Sequence, residues 1–315
     1  MSVGRDRIPI RPHPMLATLV AQPFHKPGWV YEEKYDGYRI LAYKEGAKVT
    51  LLSRNGNDRT ATFASIAASV AKLPDGSILL DGEVVAFDSK SVSRFQLLQR
   101  GDVPNAFAVF DVLYRGDRDL RRDALSTRRR ELEDAIGEES GQLFLSRRLA
   151  DNGLEAYRIA KRRSLEGLVA KDSSSPYEEK RSRSWLKVKV HQEEEFVVAG
   201  YTPPQGARKY IGALLLGAYV GDVLNFVGKV GTGFSGNQLA ELDRKFNPLI
   251  RAKSAFVDPP REKGVTWLIP KLVAQIAFAE WTRDRKLRQP VFLGLRDDKD
   301  PRECVLPDST GASAG

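Results

Sequence analysis

The sequence predicts an α+β fold in two units, a larger one of mixed strands and helices and a smaller one dominated by short strands. Three observations carry this expectation. At 315 residues the chain exceeds an ordinary single domain and suits two, at roughly 100–200 residues each. Hydrophobic residues make up 42% and charged residues 29%, which lets both units bury a core. The texture also changes after His191, where Glu193-Glu194-Glu195 interrupts the pattern and a run of short strands begins. These observations set the boundaries at 1–190 and 191–315, with a mobile, disordered tail from about residue 306.

In the first unit, Trp29–Glu33, Tyr38–Lys44 and Lys48–Ser53 read as consecutive strands, separated by the turn pairs Asp36-Gly37 and Glu45-Gly46. Ala61–Leu73 reads as a helix, and Ile78–Phe87 and Ala106–Tyr114 as strands rich in branched and aromatic residues. Helices follow at Ser126–Ile136 and Leu154–Arg163, then strands at Leu165–Lys171 and Ser184–Val190. In the second unit Phe196–Tyr201, Gly212–Val220, Val223–Val230, Val265–Ile269 and Gln275–Thr282 read as strands, with one helix at Asn237–Phe246. Five or so short strands and one helix in such a length fit a small closed barrel of the OB type.

Net charge is +9 and the isoelectric point about 9.5, which favours a polyanionic partner, nucleic acid before anionic membrane. A single cysteine, Cys304, excludes an internal disulfide and a cysteine-based zinc site, and the three histidines lack metal-ligand spacing. The polar N-terminus does not read as a signal peptide, and no apolar run is long enough to span a bilayer. A cytoplasmic, monomeric protein is expected.

Five short strings carry the candidate chemistry. In Lys34-Tyr35-Asp36-Gly37-Tyr38-Arg39 a lysine ends a strand before an Asp-Gly pair. Such an amine becomes a nucleophile once desolvation or neighbouring cations lower its pKa. In Leu80-Asp81-Gly82-Glu83 two carboxylates share one strand face among apolar neighbours, and need a cation, for which a hard divalent ion is a natural choice. Glu166 enters the apolar strand Leu165–Lys171. In Trp185-Leu186-Lys187-Val188-Lys189-Val190 the alternation sends Leu186, Val188 and Val190 to a core. Trp185, Lys187 and Lys189 face the other way, where a phosphate would relieve the repulsion of the lysines. Gly294-Leu295-Arg296-Asp297-Asp298-Lys299, taken alone, reads as a charged turn.

In this order the strings resemble the covalent nucleotidyltransferase superfamily of ATP-dependent DNA ligases, RNA ligases and capping enzymes, over about residues 10–303. The nearest likeness is to the ligase module of the bacterial non-homologous end-joining ligase, carried by Tyr31–Arg39 and Phe292–Lys299. The resemblance implies a nucleotidyltransferase domain of ATP-grasp-like form, two antiparallel sheets with flanking helices, followed by an OB-fold barrel. It also implies ATP as the AMP donor, Lys34 as the adenylated nucleophile and Mg²⁺ or Mn²⁺ as the metal. By the same likeness Glu32 would read the adenine amino group, Phe110 would stack on the base, Arg39 would contact the nucleotide, and Arg54 would hold the nick 5′-phosphate. Glu83 and Glu166 would serve the metal and the ribose. Lys187 and Lys189 would neutralise the α-phosphate and keep Lys34 acidic, and Arg296 and Lys299 would arrive with the barrel to orient the leaving pyrophosphate. The implied partners are nicked duplex DNA and a Ku-type end-binding protein. Alternatives are an RNA ligase or capping guanylyltransferase, and a non-catalytic OB-fold nucleic-acid binder.

Overall fold

The computed structural model describes residues 7–306 apart from 102, 138–141, 191–192 and 205–209. The expected disordered tail lies almost wholly outside these residues, as does the proposed boundary residue His191. By its internal contacts the chain divides into residues 1–190 and 191–315. Among the described residues no helix is long and apolar enough to cross a membrane.

The first unit runs β1 (Leu16–Leu19), β2 (Trp29–Lys34), β3 (Tyr38–Glu45), β4 (Lys48–Ser53), α1 (Ala64–Ala71), β5 (Ser77–Ala86), α2 (Phe95–Arg100), β6 (Asn105–Arg115), β7 (Arg118–Asp119), α3 (Leu125–Ile136), β8 (Leu143–Leu145), β9 (Arg148–Ala150), α4 (Gly153–Arg162), β10 (Gly167–Asp172) and β11 (Arg181–Lys189). These strands form two sheets. One has the order β1-β11-β10-β2-β9, and the other β4-β3-β5-β6-β7 with β8 beside β6. Pairing is antiparallel except for β1 with β11 and β6 with β8, so the two sheets are mixed where antiparallel ones were expected.

Strand alternation stacks the layers. On β3, Ile40 and Ala42 pack with α1 and α3, while Leu41 and Tyr43 face the sheet that contains β11. On β11, Val188 and Leu186 pack with Ala156 and Tyr157 of α4, while Trp185 joins Leu41, Tyr43 and Leu79 between the sheets. The face of Trp185 is therefore a second buried interface, and the tryptophan is only 2% exposed.

The Asp36-Gly37 pair does not close a hairpin. β2 and β3 belong to different sheets, and the chain crosses from one to the other at this point. The turn signal was real, but local composition does not say which strands a turn connects. Helix α2 and strand β1 carry too little pattern to be read from sequence and were not foreseen.

The second unit contains β12 (Glu193–Tyr201), β13 (Leu214–Val220), β14 (Val223–Val230), α5 (Gly236–Phe246), β15 (Ile250–Arg251), β16 (Thr266–Ala277), β17 (Glu280–Trp281), β18 (Leu287–Arg288) and β19 (Val291–Arg296). The main sheet has the order β14-β13-β12-β16-β15, with β19 also on β16. It curls back on itself where the Phe292 N–H donates to the Thr232 carbonyl at 3.0 Å and the rings of Phe234 and Phe292 stack at 4.5 Å. Phe196, Leu216, Ile276 and Phe292 fill the interior together with Leu242 and Phe246 of α5, as an OB-type barrel requires. The glutamate run does not break the pattern but opens β12. The expected strand Val265–Ile269 and the first part of Gln275–Thr282 are one strand, β16, which loses its regular pairing with β12 around Pro270. Proline has no N–H to give a ladder. Of the string Gly294–Lys299, Gly294, Leu295 and Arg296 end strand β19, and the turn begins only at Asp297.

Candidate active site

Register places the candidate residues before any side chain is considered. Lys34 lies opposite Gly167, which lies opposite Lys189, and Glu32 lies opposite Val169, which lies opposite Lys187. Directly paired residues share a face. Lys34, Glu32, Lys187 and Lys189 therefore line one wall between the two sheets, with Lys171 and Trp185 completing it. On the facing sheet Arg39 pairs with Glu83, and Leu41 with Asp81.

The strands come this close because the string glycines have no side chain. A Cβ at Gly37 would sit 2.1 Å from the Val84 carbonyl oxygen, at Gly82 2.6 Å from the Ala108 carbonyl oxygen, and at Gly167 2.1 Å from the Val188 carbonyl oxygen. Each obstacle is ladder backbone and cannot swing aside. Gly167→Ala should therefore cost roughly 1–3 kcal/mol of stability and push β10 away from β11, the strand that carries Lys187 and Lys189. Denaturant unfolding reads the first effect, and unchanged unfolding would refute it.

Lys34 Nζ donates to Glu166 Oε1 in a short ion pair. Burial works to strip the proton from Lys34, but the carboxylates of Glu166, Asp36 and Glu83 outweigh it and hold the amine above its ordinary value. This corrects the expectation that Lys187 and Lys189 keep Lys34 acidic. In this structure the nearest charge to Lys34 is the Glu166 carboxylate. The other oxygen of Glu166, Oε2, is buried without a hydrogen-bond partner.

Asp81 is fully buried, and its cation is not a metal but Arg39. The guanidinium grips both carboxylate oxygens, with Nη2 to Oδ2 at 2.6 Å, and Tyr177 Oη donates to Oδ2 at 2.7 Å. Glu83, half-buried beside Arg39, acts on the charge of Lys34 as well. Among the described residues no three His, Cys, Asp or Glu side chains form a metal cage. Two carboxylates, one with an orphaned oxygen, fit the partial coordination a hard ion takes when substrate phosphates supply the rest.

Sequence reading missed two residues here. Lys171 is buried, with Nζ 2.8 Å from Glu32 Oε2 and 4.6 and 4.4 Å from the ring centres of Phe110 and Trp185. Burial pushes its pKa below the ordinary lysine range against the opposing pull of Glu32. Arg129 of α3 donates to the other Glu32 oxygen at 3.4 Å and to the Ser146 carbonyl at 3.1 Å. The only sequence signal for Lys171 was its place at the end of the expected strand Leu165–Lys171; Arg129 had none. Phe110 is buried, with the Arg39 guanidinium 4.4 Å from its centroid. Arg54 sits half-buried on the turn after β4.

In the second unit Arg296 is buried and held by Asp298 through Nε–Oδ1 at 2.8 Å and Nη2–Oδ2 at 2.9 Å, and it donates to Gln275 Oε1 at 3.3 Å. Lys299 lies 3.5 Å from Glu195. Burial alone would raise the Asp298 carboxyl, but Arg296 outweighs it and holds the group below the usual carboxylate range. A depressed folded pKa stabilises above the unfolded value, about 3.9, and this stabilisation is lost as pH falls through the folded value. Asp298→Asn should therefore melt below the parent at neutral pH, and the gap should close in acid below about pH 4. A gap independent of pH would contradict this origin.

A two-sheet unit with a lysine, two basic strand residues and two carboxylates on facing walls, followed by an OB-type barrel, defines a nucleotidyltransferase catalytic module. Residues 14–189 match the family described as ATP dependent DNA ligase domain, and residues 207–299 the ATP dependent DNA ligase C terminal region. The chain belongs to the ATP-dependent DNA ligase family. It is 39% identical over 316 residues to the multifunctional non-homologous end joining protein LigD of Pseudomonas aeruginosa, covering 96% of this chain and 38% of that protein. It is 37% identical over 300 residues to the Mycobacterium tuberculosis LigD, covering 93% and 39%. The chain thus spans under two-fifths of the length of these relatives. The solved mycobacterial DNA ligase D complexed with ATP and MES matches with a TM-score of 0.70 at 34% identity, over 93% of this chain and 98% of that one.

Proposed function

We infer that this protein seals nicks in duplex DNA through a lysyl-AMP and a DNA-adenylate, in the repair of broken ends. Support comes above all from Lys34 lying on one wall with Lys187 and Lys189 and opposite Glu83, within a chain of the DNA ligase family.

The neutral Lys34 amine attacks the α-phosphorus of ATP. A P–N bond forms, the bond to the bridging β-phosphate oxygen breaks, pyrophosphate leaves, and the amine proton is lost. An oxygen of the nick 5′-phosphate then attacks the same phosphorus and expels Lys34. The 3′-hydroxyl finally attacks the 5′-phosphorus, loses its proton and releases AMP. Lys187 and Lys189 neutralise charge at the α-phosphate, which is the main contribution a protein makes to phosphoryl transfer. Glu32 accepts from the adenine amino group, Phe110 stacks on the base, Arg39 contacts the nucleotide, and Arg54 holds the 5′-phosphate. Glu83 and Glu166 would hold Mg²⁺ or Mn²⁺, which supplies charge neutralisation at the phosphates when bound. Arg296 and Lys299 orient the pyrophosphate, for which Arg296 must exchange Asp298 for phosphate. A Ku-type end-binding protein is the proposed partner.

Incubation with labelled ATP or GTP and Mg²⁺, followed by a nicked duplex, tests this reading. A covalent AMP adduct that is discharged on the nick is expected. A GMP adduct without an AMP adduct would overturn it.

A further inference from the structure

The two residues after Lys34 are both tied down, and by different elements. Tyr35 is buried, and its Oη accepts the Arg147 N–H at 3.1 Å. Asp36 is buried as well. Its carboxylate Oδ2 accepts the N–H of Phe95, the first residue of α2, at 3.0 Å, and its own N–H donates to Ser93 Oγ at 3.0 Å. Gly37 then passes against the Val84 backbone with no room for a Cβ. The nucleophile therefore leads directly into a crossover whose path is fixed at each of the next three residues.

Ser93 reaches Asp36 because a tight loop returns it to β5. Asp88 Oδ1 accepts the N–H groups of Lys90 and Val92 at 2.9 and 3.0 Å. Ser91 takes a positive φ of 58°, Phe87 and Ser93 form a bridge, and the Arg94 N–H donates to the Ala86 carbonyl at 3.0 Å. Ser93 itself is 3% exposed. The loop packs Val92 with Leu165 and Val190, beside Glu166 and Lys189, while Ser93 meets the strand end that carries Lys34 through the backbone of Asp36.

We propose that Ser93 is a positioning residue for the nucleophile, its hydroxyl fixing the Asp36 backbone so that the strand end carrying Lys34 holds one direction. This rests on Lys34 being the adenylated residue. Attack at phosphorus needs near-linear placement, and a displacement of about 1 Å can cost on the order of 100-fold in rate. Loss of the hydroxyl leaves a buried N–H to find another acceptor, and the backbone moves to do so.

The test is single-turnover adenylation of the full chain over an ATP titration, comparing Ser93→Ala, Ser93→Thr and Ser93→Cys with the parent, alongside melting temperature and sealing of a pre-adenylated nick. In Ser93→Ala the rate at saturating ATP should fall about 10- to 100-fold, with half-saturating ATP and pre-adenylated nick sealing within about two-fold. Ser93→Thr should restore the rate and Ser93→Cys, a weaker acceptor, should fall between. A Ser93→Ala rate equal to the parent's overturns the proposal. So does a loss that follows melting temperature across the three variants and lowers every step together. A parent protein that forms no AMP adduct at Lys34 would defeat the functional reading instead, before any Ser93 variant is compared.

Discussion

Lys34→Ala is expected to yield no AMP adduct and no ATP-dependent sealing, a loss on the order of 10⁴-fold or more, as for other residues that form the covalent bond. The choice of lysine is a real question here. A depressed pKa alone would nominate Lys171, which burial pushes below the ordinary range, whereas Lys34 is held above it by Glu166. Access decides the other way. The Lys171 side chain is 3% exposed and its ammonium is pinned to Glu32 beneath two aromatic rings, while the Lys34 side chain is 19% exposed. A phosphate can approach Lys34 and cannot approach Lys171 without dismantling the ring contacts. The lysine pKa in the free protein describes the resting ion pair, which must open before attack. Peptide mapping of the adduct checks this: AMP on Lys171, or sealing by Lys34→Ala from ATP at the parent rate, would sink the assignment. The same variant should still close a pre-adenylated nick faster than background, because that step breaks no bond to lysine.

The barrel and most strands of the first unit were legible because alternation and turn residues are local signals. Lys34, Glu32, Lys187 and Lys189 were legible as a set because their strings recur in order, and strand register then brings them to one wall. What failed needed distant partners. Asp81 and Glu83 read as a pair in want of a divalent ion, yet Asp81 is satisfied by Arg39 from the neighbouring strand, and no spacing rule reveals a side chain that arrives diagonally across a ladder. Asp36-Gly37 read as a turn between consecutive strands, and a turn signal carries no information about sheet membership. Asp36 in fact caps α2 from 59 residues away in sequence, and α2 is too short to leave a period. Arg296 read as part of a charged turn because the string was taken without the apolar Val291–Leu295 alternation that makes it a strand.

Arg128, which no sequence signal marked, should show the largest loss of stability. Its side chain and that of Asp111 are both fully buried. The guanidinium donates to both Asp111 oxygens at 2.8 and 2.9 Å, to the Asp123 carbonyl at 2.6 Å and to the Ser175 carbonyl at 3.1 Å. Asp111 lies directly opposite Asp81 in the ladder, so two buried carboxylates face each other and each depends on its own arginine. Arg128→Ala removes one of those cations and leaves a charge with no compensation, which should cost about 3–5 kcal/mol in denaturant unfolding. The pair itself is a different matter. Replacing both partners by apolar residues, as in Arg128→Met with Asp111→Leu, should recover most of that loss, because desolvating two ions roughly cancels their attraction. The effect should also reach the nucleotide. Arg129, the next residue of α3, donates to Glu32, so loosening α3 should raise the ATP concentration needed for half-maximal adenylation before it lowers the maximal rate. A loss under about 1 kcal/mol for Arg128→Ala would mean that solvent or Lys171 takes over the charge of Asp111. The apparent anchoring of α3 would then be geometric rather than energetic.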